Sequence, residues 1–419
     1  MTDVDALIEQ LYKTQSAKLL AVLTRIFGVH NFDLAEDVMQ DAFSKAMIDW
    51  QQHRIPQNPA AWLMTTAKNK ALDKIRADKT KVKLSEDLSL YLLSEWTLAF
   101  TIEEEFKVLK IKDDQLRMIF ICCHQSIKAE NRIVFILKSL CGFSIRAIAR
   151  ALLLNEATVK KRILRTREKL KQLSFELPCD DKLREAMDTV HTVLYLLFNE
   201  GFYSSDPKKS INIEFCHEAI ALVKMLINEP KMANQDTFGL FALMHFNIAR
   251  INARVDEDGF NIPLDLQNRS LWQQEYINTG DHILKASTEA SNTVSRFHIE
   301  ALIAQQHCCA ATFSDTNWLL IVSYYDDYIK ITDSPVAKLN HAIALGHTGN
   351  VNEAINKVTL LQSHQALVNS HMPLAILAYL NAKAGNEKLA YQQAHCSKKI
   401  GGTAHEHRLM MQQLQRLLN

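Results

Sequence analysis

Turn-forming residues are scarce in this chain: 11 glycines and 8 prolines in 419 residues. Sandwiches, barrels and Pro/Gly-rich tails need many more, so the shortage excludes them and points to an all-α protein. Long apolar runs are missing as well. VLYLLF and WLLIVSYY are far shorter than the roughly 18 residues of a membrane span, so no membrane partner is expected. The opening MTDVDALIEQLYK is acidic from the start and lacks a basic, then apolar, secretory leader. Net charge is also lacking, with 48 Lys and Arg against 47 Asp and Glu. Eight cysteines include the adjacent pairs Cys122–Cys123 and Cys308–Cys309 in apolar, helix-like runs. In a chain this size that reads as reduced, buried thiols and a cytoplasmic location. No phosphate-cradling glycine loop, nucleophile elbow or i, i+4 histidine pair occurs, so neither an enzyme nor a cofactor is expected. Neighbouring helical thiols diverge by about 100°, which speaks against a metal at Cys122, Cys123 and His124.

What is present is ordered charge and a 47% hydrophobic composition, ample for a core. Asp33 to Asp49 holds five acids and one base. Arg54 to Lys81 holds seven bases and two acids, and Gly142 to Gln172 nine bases and two acids. These blocks divide the chain into a helical unit at 1–77, a mixed-charge linker at 78–114, a second helical unit at 115–173, and a long helical remainder at 180–419 beyond Pro178.

In the first unit, Leu34, Val38, Ala42 and Ala46 recur at helical spacing and should face a core. Asp33, Asp37, Gln40, Asp41 and Ser44 form the opposite stripe. It is either solvated or a docking surface for a basic partner helix. Asp33 is placed to cap this helix, with Glu36 completing a capping box. A second helix should begin near Asn58 with Pro59 in its first turn. Met64, Ala67, Ala71 and Ile75 line one face; Trp62, Thr66, Asn69, Asp73 and Arg76 line the other, flanked by Lys68, Lys70 and Lys74. A tryptophan among amides and cations suits stacking on single-stranded bases; alternatively, Trp62 packs on the preceding loop.

GFSIRAIARALLLNEATVKKRILRTREKL reads as a helix-turn-helix. Ser144 caps a helix whose Ala147, Ile148, Ala151 and Leu152 face inward. The turn falls at Leu153–Leu154, where glycine is usual, and Asn155 caps the next helix. Val159, Ile163 and Leu170 are its buried positions, while Thr158, Lys161 and Arg165 lie on the outer face. Lys160, Arg162 and Arg167 flank that face at phosphate-reaching positions, as entry into a major groove requires.

Together these residues resemble bacterial sigma factors of the extracytoplasmic-function (ECF) group. DLAEDVMQDAFSKAMIDW is similar to the region 2.2 helix that binds the β′ clamp of RNA polymerase. NPAAWLMTTAKNKALDKIRADK resembles regions 2.3–2.4, which read and open the −10 element. LRMIFICCHQSIKAENRIVFILKSLCGFSIRAIARALLLNEATVKKRILRTREKL is similar to region 4, which binds the −35 element and the β flap. LYLLFNEGFYSS, Leu194 to Ser205, resembles the opening of a TPR-like C-terminal extension found in one ECF subgroup, with Phe202 where tyrosine is usual and Gln125 replacing a proline.

The resemblance implies polymerase contacts at Asp37, Gln40, Asp41 and Phe43, the last as core as well as contact. It implies −10 contacts at His53, Asn58, Trp62, Thr65, Lys68, Asn69, Asp73 and Arg76, with the loop from His53 to Asn58 capturing a flipped base. It implies −35 contacts at Arg146, Thr158, Lys160, Lys161, Arg162 and Arg165. The acidic segment from Asp78 to Asp114 would thread toward the RNA exit path, its acids imitating nucleic acid.

In the remainder, Ala342, Gly349, Asn350, Ala354 and Val358 recur 36 residues later as Ala378, Gly385, Asn386, Ala390 and Ala394. Such spacing fits TPR-like helix pairs, whose concave surfaces take a protein partner. The expected function is promoter-directed transcription initiation with core polymerase, modulated by the extension. Two other readings are a helix-turn-helix regulator that never melts DNA and a TPR-like scaffold with vestigial DNA elements. A simple regulator has no use for an acidic docking stripe or for the Trp62 melting face, and vestigial elements would show decay of the basic residues, of which none is apparent.

Overall fold

The computed structural model describes residues 3–77, 84, 88–93, 95–173, 180–204, 210–257, 261–289, 295–402 and 404–418. Among these residues every long element is an α-helix, and β pairing is confined to one isolated bridge, Val255 with Asn261. Two compact units emerge, one of residues 1–198 and 217–222 and one of residues 199–216 and 223–419.

The first unit contains α1 (Asp3–Phe27), α2 (Phe32–Gln52), α3 (Pro59–Ala77), α4 (Ser89–Leu93), α5 (Glu95–Glu105), α6 (Val108–Cys122), α7 (Ala129–Ser139), α8 (Ile145–Ala151) and α9 (Glu156–Leu170), together with most of α10 (Asp180–Phe202). α1 is its axis. Leu19 to Leu23, Ile26 and Phe27 are buried, because α1 packs against α2, α3, α5, α6 and α7.

On α2 the expected core positions Val38, Ala42 and Ala46 are buried and Leu34 half-buried. Phe32, Ala35, Met39, Phe43 and Trp50 widen the apolar face. The expected capping box does not form. The helix starts at Phe32, and Asn31 at its N-cap turns its amide back to the Phe27 carbonyl at 3.0 Å. Asp33 and Glu36 are thereby left to form ion pairs with another helix. α3 starts as expected: Asn58 Oδ1 accepts from the Ala61 amide at 3.0 Å, and Pro59 opens the helix. Its buried face is rotated from the expected one. Leu63 and Thr66 join Ala67, Ala71 and Ile75, while Met64 is only half-buried.

The segment expected as a linker is largely helical where described. Its Glu105 and Asp114 are buried near Arg25 rather than displayed. Residues 78–83 and 85–87 lie outside the described residues. The helix-turn-helix is α8 and α9. Ser144 Oγ accepts from the Ala147 amide at 3.0 Å, and Asn155 Oδ1 from the Thr158 amide at 2.8 Å. Leu153 takes the left-handed conformation at φ 53°. The Leu154 amide returns to the Ala149 carbonyl and the Leu153 amide to that of Arg150, a Schellman closure. Because α8 ends there, Ala151 is exposed, contrary to expectation, and Ala149 takes the inward place.

The second unit holds the remaining part of α11 (Ile213–Asn228), then α12 (Gln235–Ile248), α13 (Gln274–Glu289), α14 (Arg296–Cys309), α15 (Trp318–Thr332), α16 (Pro335–His347), α17 (Val351–Leu361), α18 (Met372–Lys383), α19 (Glu387–Ile400) and α20 (Ala404–Leu418). The 36-residue recurrence corresponds to two helical hairpins, α16–α17 and α18–α19. Gly349 and Gly385 make their turns at φ 96° and 79°, and Ala342, Ala354, Val358, Ala378, Ala390 and Ala394 are fully buried at the helix contacts. In NEGFY, Gly201 is required by close approach: a Cβ there would lie 2.7 Å from the Cys216 amide nitrogen. Of the cysteines described, Cys122, Cys123, Cys141 and Cys216 are buried, but Cys309 and Cys396 are exposed.

Candidate polymerase and nucleic-acid interfaces

The α2 stripe lies in solvent: Asp33, Asp37, Gln40, Asp41 and Ser44 are all exposed. Met47 and Ile48 continue it with 42% and 56% of their surface accessible. Sequence reasoning missed these two, although Ile48 follows Asp41 and Ser44 at helical spacing on the same face. Phe43 is buried and meets the Tyr12 ring at 5.1 Å, so its part is in the core.

Beyond α2, His53 is exposed and its Nδ1 lies 3.2 Å from the Asp49 carbonyl. Asn58 is exposed as well as capping. Trp62 is half-buried with its ring edge-on to Trp50 of α2 at 5.3 Å. Thr65 is exposed and donates to the Ala61 carbonyl; Asn69, Asp73 and Arg76 are exposed too. Thr66 is buried and leaves this face. Two of the lysines here are already paired with carboxylates, Lys68 with Glu103 of α5 and Lys70 with Asp41 at 3.6 Å.

On α9 and its approach, Arg146, Lys160, Lys161 and Arg165 are exposed, and among the described residues none has a carboxylate partner. Thr158 is half-buried. Arg162 is tied to Glu130 of α7 at 3.0 Å. Two further bases reach α2. Lys171 meets Asp33 at 2.8 Å, and Arg167 Nη2 donates to both Glu36 oxygens, 2.6 Å to Oε1. Burial raises the Glu36 pKa, against the lowering pull of Arg167. A cleft of about 370 Å³ lies alongside, lined by Tyr12, Glu36, Lys138, Lys160 and Arg167 among others. The helix of acids and the helix of bases are therefore clasped together within the first unit.

The arrangement can do two things chemically. Exposed carboxylates next to exposed Met47 and Ile48 suit a basic, partly apolar protein surface. A capped helix-turn-helix with exposed Lys160, Lys161 and Arg165 suits phosphates beside a groove. An all-α protein with an exposed acidic helix and a basic helix-turn-helix is thus defined.

Comparison with known proteins agrees with that class. Residues 11–80 match the family described as Sigma-70 region 2, and residues 117–170 match Sigma-70, region 4. Residues 186–288 match a family of unknown function, DUF6596. An uncharacterized protein of Rhizobium meliloti (strain 1021) is 30% identical over 332 residues, covering 78% of this chain and 76% of the relative. No solved structure matches. The chain belongs to the sigma-70 family of sigma factors, the transcription initiation factors that bind core RNA polymerase and promoter DNA.

Proposed function

We propose that the chain is an ECF-type sigma factor whose α2 docks on the β′ clamp and whose helix-turn-helix unit engages the β flap and the −35 element. The observation that carries this reading is the exposed acidic stripe of α2 on the same chain as the exposed Lys160, Lys161 and Arg165 of α9. The ECF assignment is supported by the matched spans: only residues 81–116 separate region 2 from region 4, fewer than a further domain of about 50 residues needs.

The face of α3 takes the −10 element, with Trp62 stacking on an unpaired base and Lys68, Asn69 and Arg76 along the strand. Lys68 exchanges Glu103 for a phosphate as DNA arrives. Separated promoter boxes require α9 to leave α2, so the Arg167–Glu36 and Lys171–Asp33 pairs break during assembly. The C-terminal helices act as a TPR-like extension that modulates this activity in the cytoplasm and offers a surface to a protein partner. The test is transcription by purified chain and core polymerase on promoter DNA, with Trp62→Ala as the variant. Retained duplex binding with lost strand opening is expected; opening at the unaltered level would remove α3 from the role.

A further inference from the structure

The second unit contains a cleft of about 410 Å³ that none of these interfaces uses. One wall is aromatic. Trp318 of α15 and His347 of α16 stack at 4.1 Å with 14° between their planes, and Phe313 sits edge-on to both. Tyr379 and Lys383 of α18 form a second side, and Asp265, Gln413 and Arg416 a third.

The charges there do not cancel. Arg416 is neutralised by Asp265 at 3.1 Å. Lys383 has no carboxylate partner among the described residues; its Nζ lies 3.4 Å from His347 Nδ1. Burial, then Lys383, holds the His347 pKa down at about 4, so the imidazole is neutral at pH 7. An ammonium only donates, so the Lys383 contact is made by the tautomer in which Nδ1 accepts and Nε2 carries the ring proton. That proton is given to the Tyr379 oxygen at 2.9 Å. The Tyr379 hydroxyl hydrogen is left for another acceptor. One uncompensated cation and one committed donor thus stand beside a flat ring surface.

We propose that this cleft binds a small organic acid, its planar apolar body against Trp318, His347 and Phe313 and its carboxylate held by Lys383 and Tyr379. The volume lies within the roughly 300–1,000 Å³ of small-molecule sites. A single uncompensated cation beside Asp265 favours a monoanion over a doubly charged phosphate. The inference concerns binding alone and stands apart from the transcriptional reading, so either can fail without the other.

The experiment is isothermal titration calorimetry of the full chain with indole-3-acetate as probe. Indole-3-ethanol keeps the ring without the charge, and acetate keeps the charge without the ring. Saturable one-to-one binding of indole-3-acetate is expected, with both controls at least about tenfold weaker. Lys383→Gln should weaken it about tenfold to a hundredfold through loss of a charge-assisted bond, and Lys383→Arg should restore most of it. Circular dichroism checks that each variant keeps its helices. Absence of saturable binding at millimolar indole-3-acetate, or equal affinity for indole-3-ethanol, overturns the proposal without recourse to any variant. Equal affinity in Lys383→Gln overturns it as well.

Discussion

Glu36→Gln combined with Asp33→Asn removes both carboxylates that hold α9 against α2. Arg167 grips Glu36 with its guanidinium across both oxygens, and the Glu36 side chain is only 14% exposed. A hydrogen bond between charged groups contributes about 1.5–3 kcal/mol. The burial that raises the Glu36 pKa offsets part of this, and Arg167 keeps 34% of its side chain in water. A net value of about 1–2 kcal/mol results. The exposed Asp33–Lys171 pair adds little. Simultaneous engagement of both promoter boxes should therefore tighten about fivefold to thirtyfold once the clasp is open. Fluorescence anisotropy of the chain with core polymerase on a labelled promoter duplex that carries both boxes measures it at fixed salt. Removing acid also strengthens DNA binding by simple electrostatics, so Asp37→Asn with Asp41→Asn is the matched control on the same helix. Equal affinities of the two double variants would refute the clasp.

Four further outcomes are expected. Asp37→Arg with Asp41→Arg weakens capture of core polymerase in a pull-down while circular dichroism stays unchanged. Lys161→Ala with Arg165→Ala lowers DNA affinity across sequences and flattens its salt dependence by about two phosphate contacts. Leu153→Gly relieves a left-handed, 45% exposed leucine in the Schellman turn, and thermal unfolding should show a gain of about 0.5–1 kcal/mol. Asp114 has its pKa pushed up to about 8 by burial, then by Glu105, against the pull of Arg25. The folded chain thus keeps a proton that the unfolded chain releases near 3.8. Stability should fall as pH rises between those values, by at most about 1.4 kcal/mol per pH unit, and Asp114→Asn should flatten that decline in pH-dependent melting.

Local chemistry was the legible part. Ser144, Asn155 and Asn58 each cap within three residues, so the three helix starts follow from neighbouring sequence. The left-handed turn at Leu153 follows from where the two capped helices must meet. Small residues 36 apart sit fully buried in the hairpins because only they allow the helices to approach. Failures came where distant residues compete for the same groups. Asn31 spends its side chain on Phe27, so Asp33 and Glu36 find α9 instead of forming a capping box. Arg25 on α1 draws Glu105 and Asp114 inward, and no periodicity in their own segment shows it. The boundary read at Pro178 falls at residues 174–179, outside the described residues, and the two compact units interleave around α10 and α11. The Lys383 cleft assembles residues from Asp265 to Leu417, a separation that motif reading does not span.

The most direct measurement is permanganate footprinting of promoter DNA with the purified chain and core RNA polymerase. Reactive thymines at the −10 box should appear only when both are present and disappear with Asp37→Arg and Asp41→Arg. Footprints that are the same with and without the chain, or that persist in the double variant, would contradict initiation through α2.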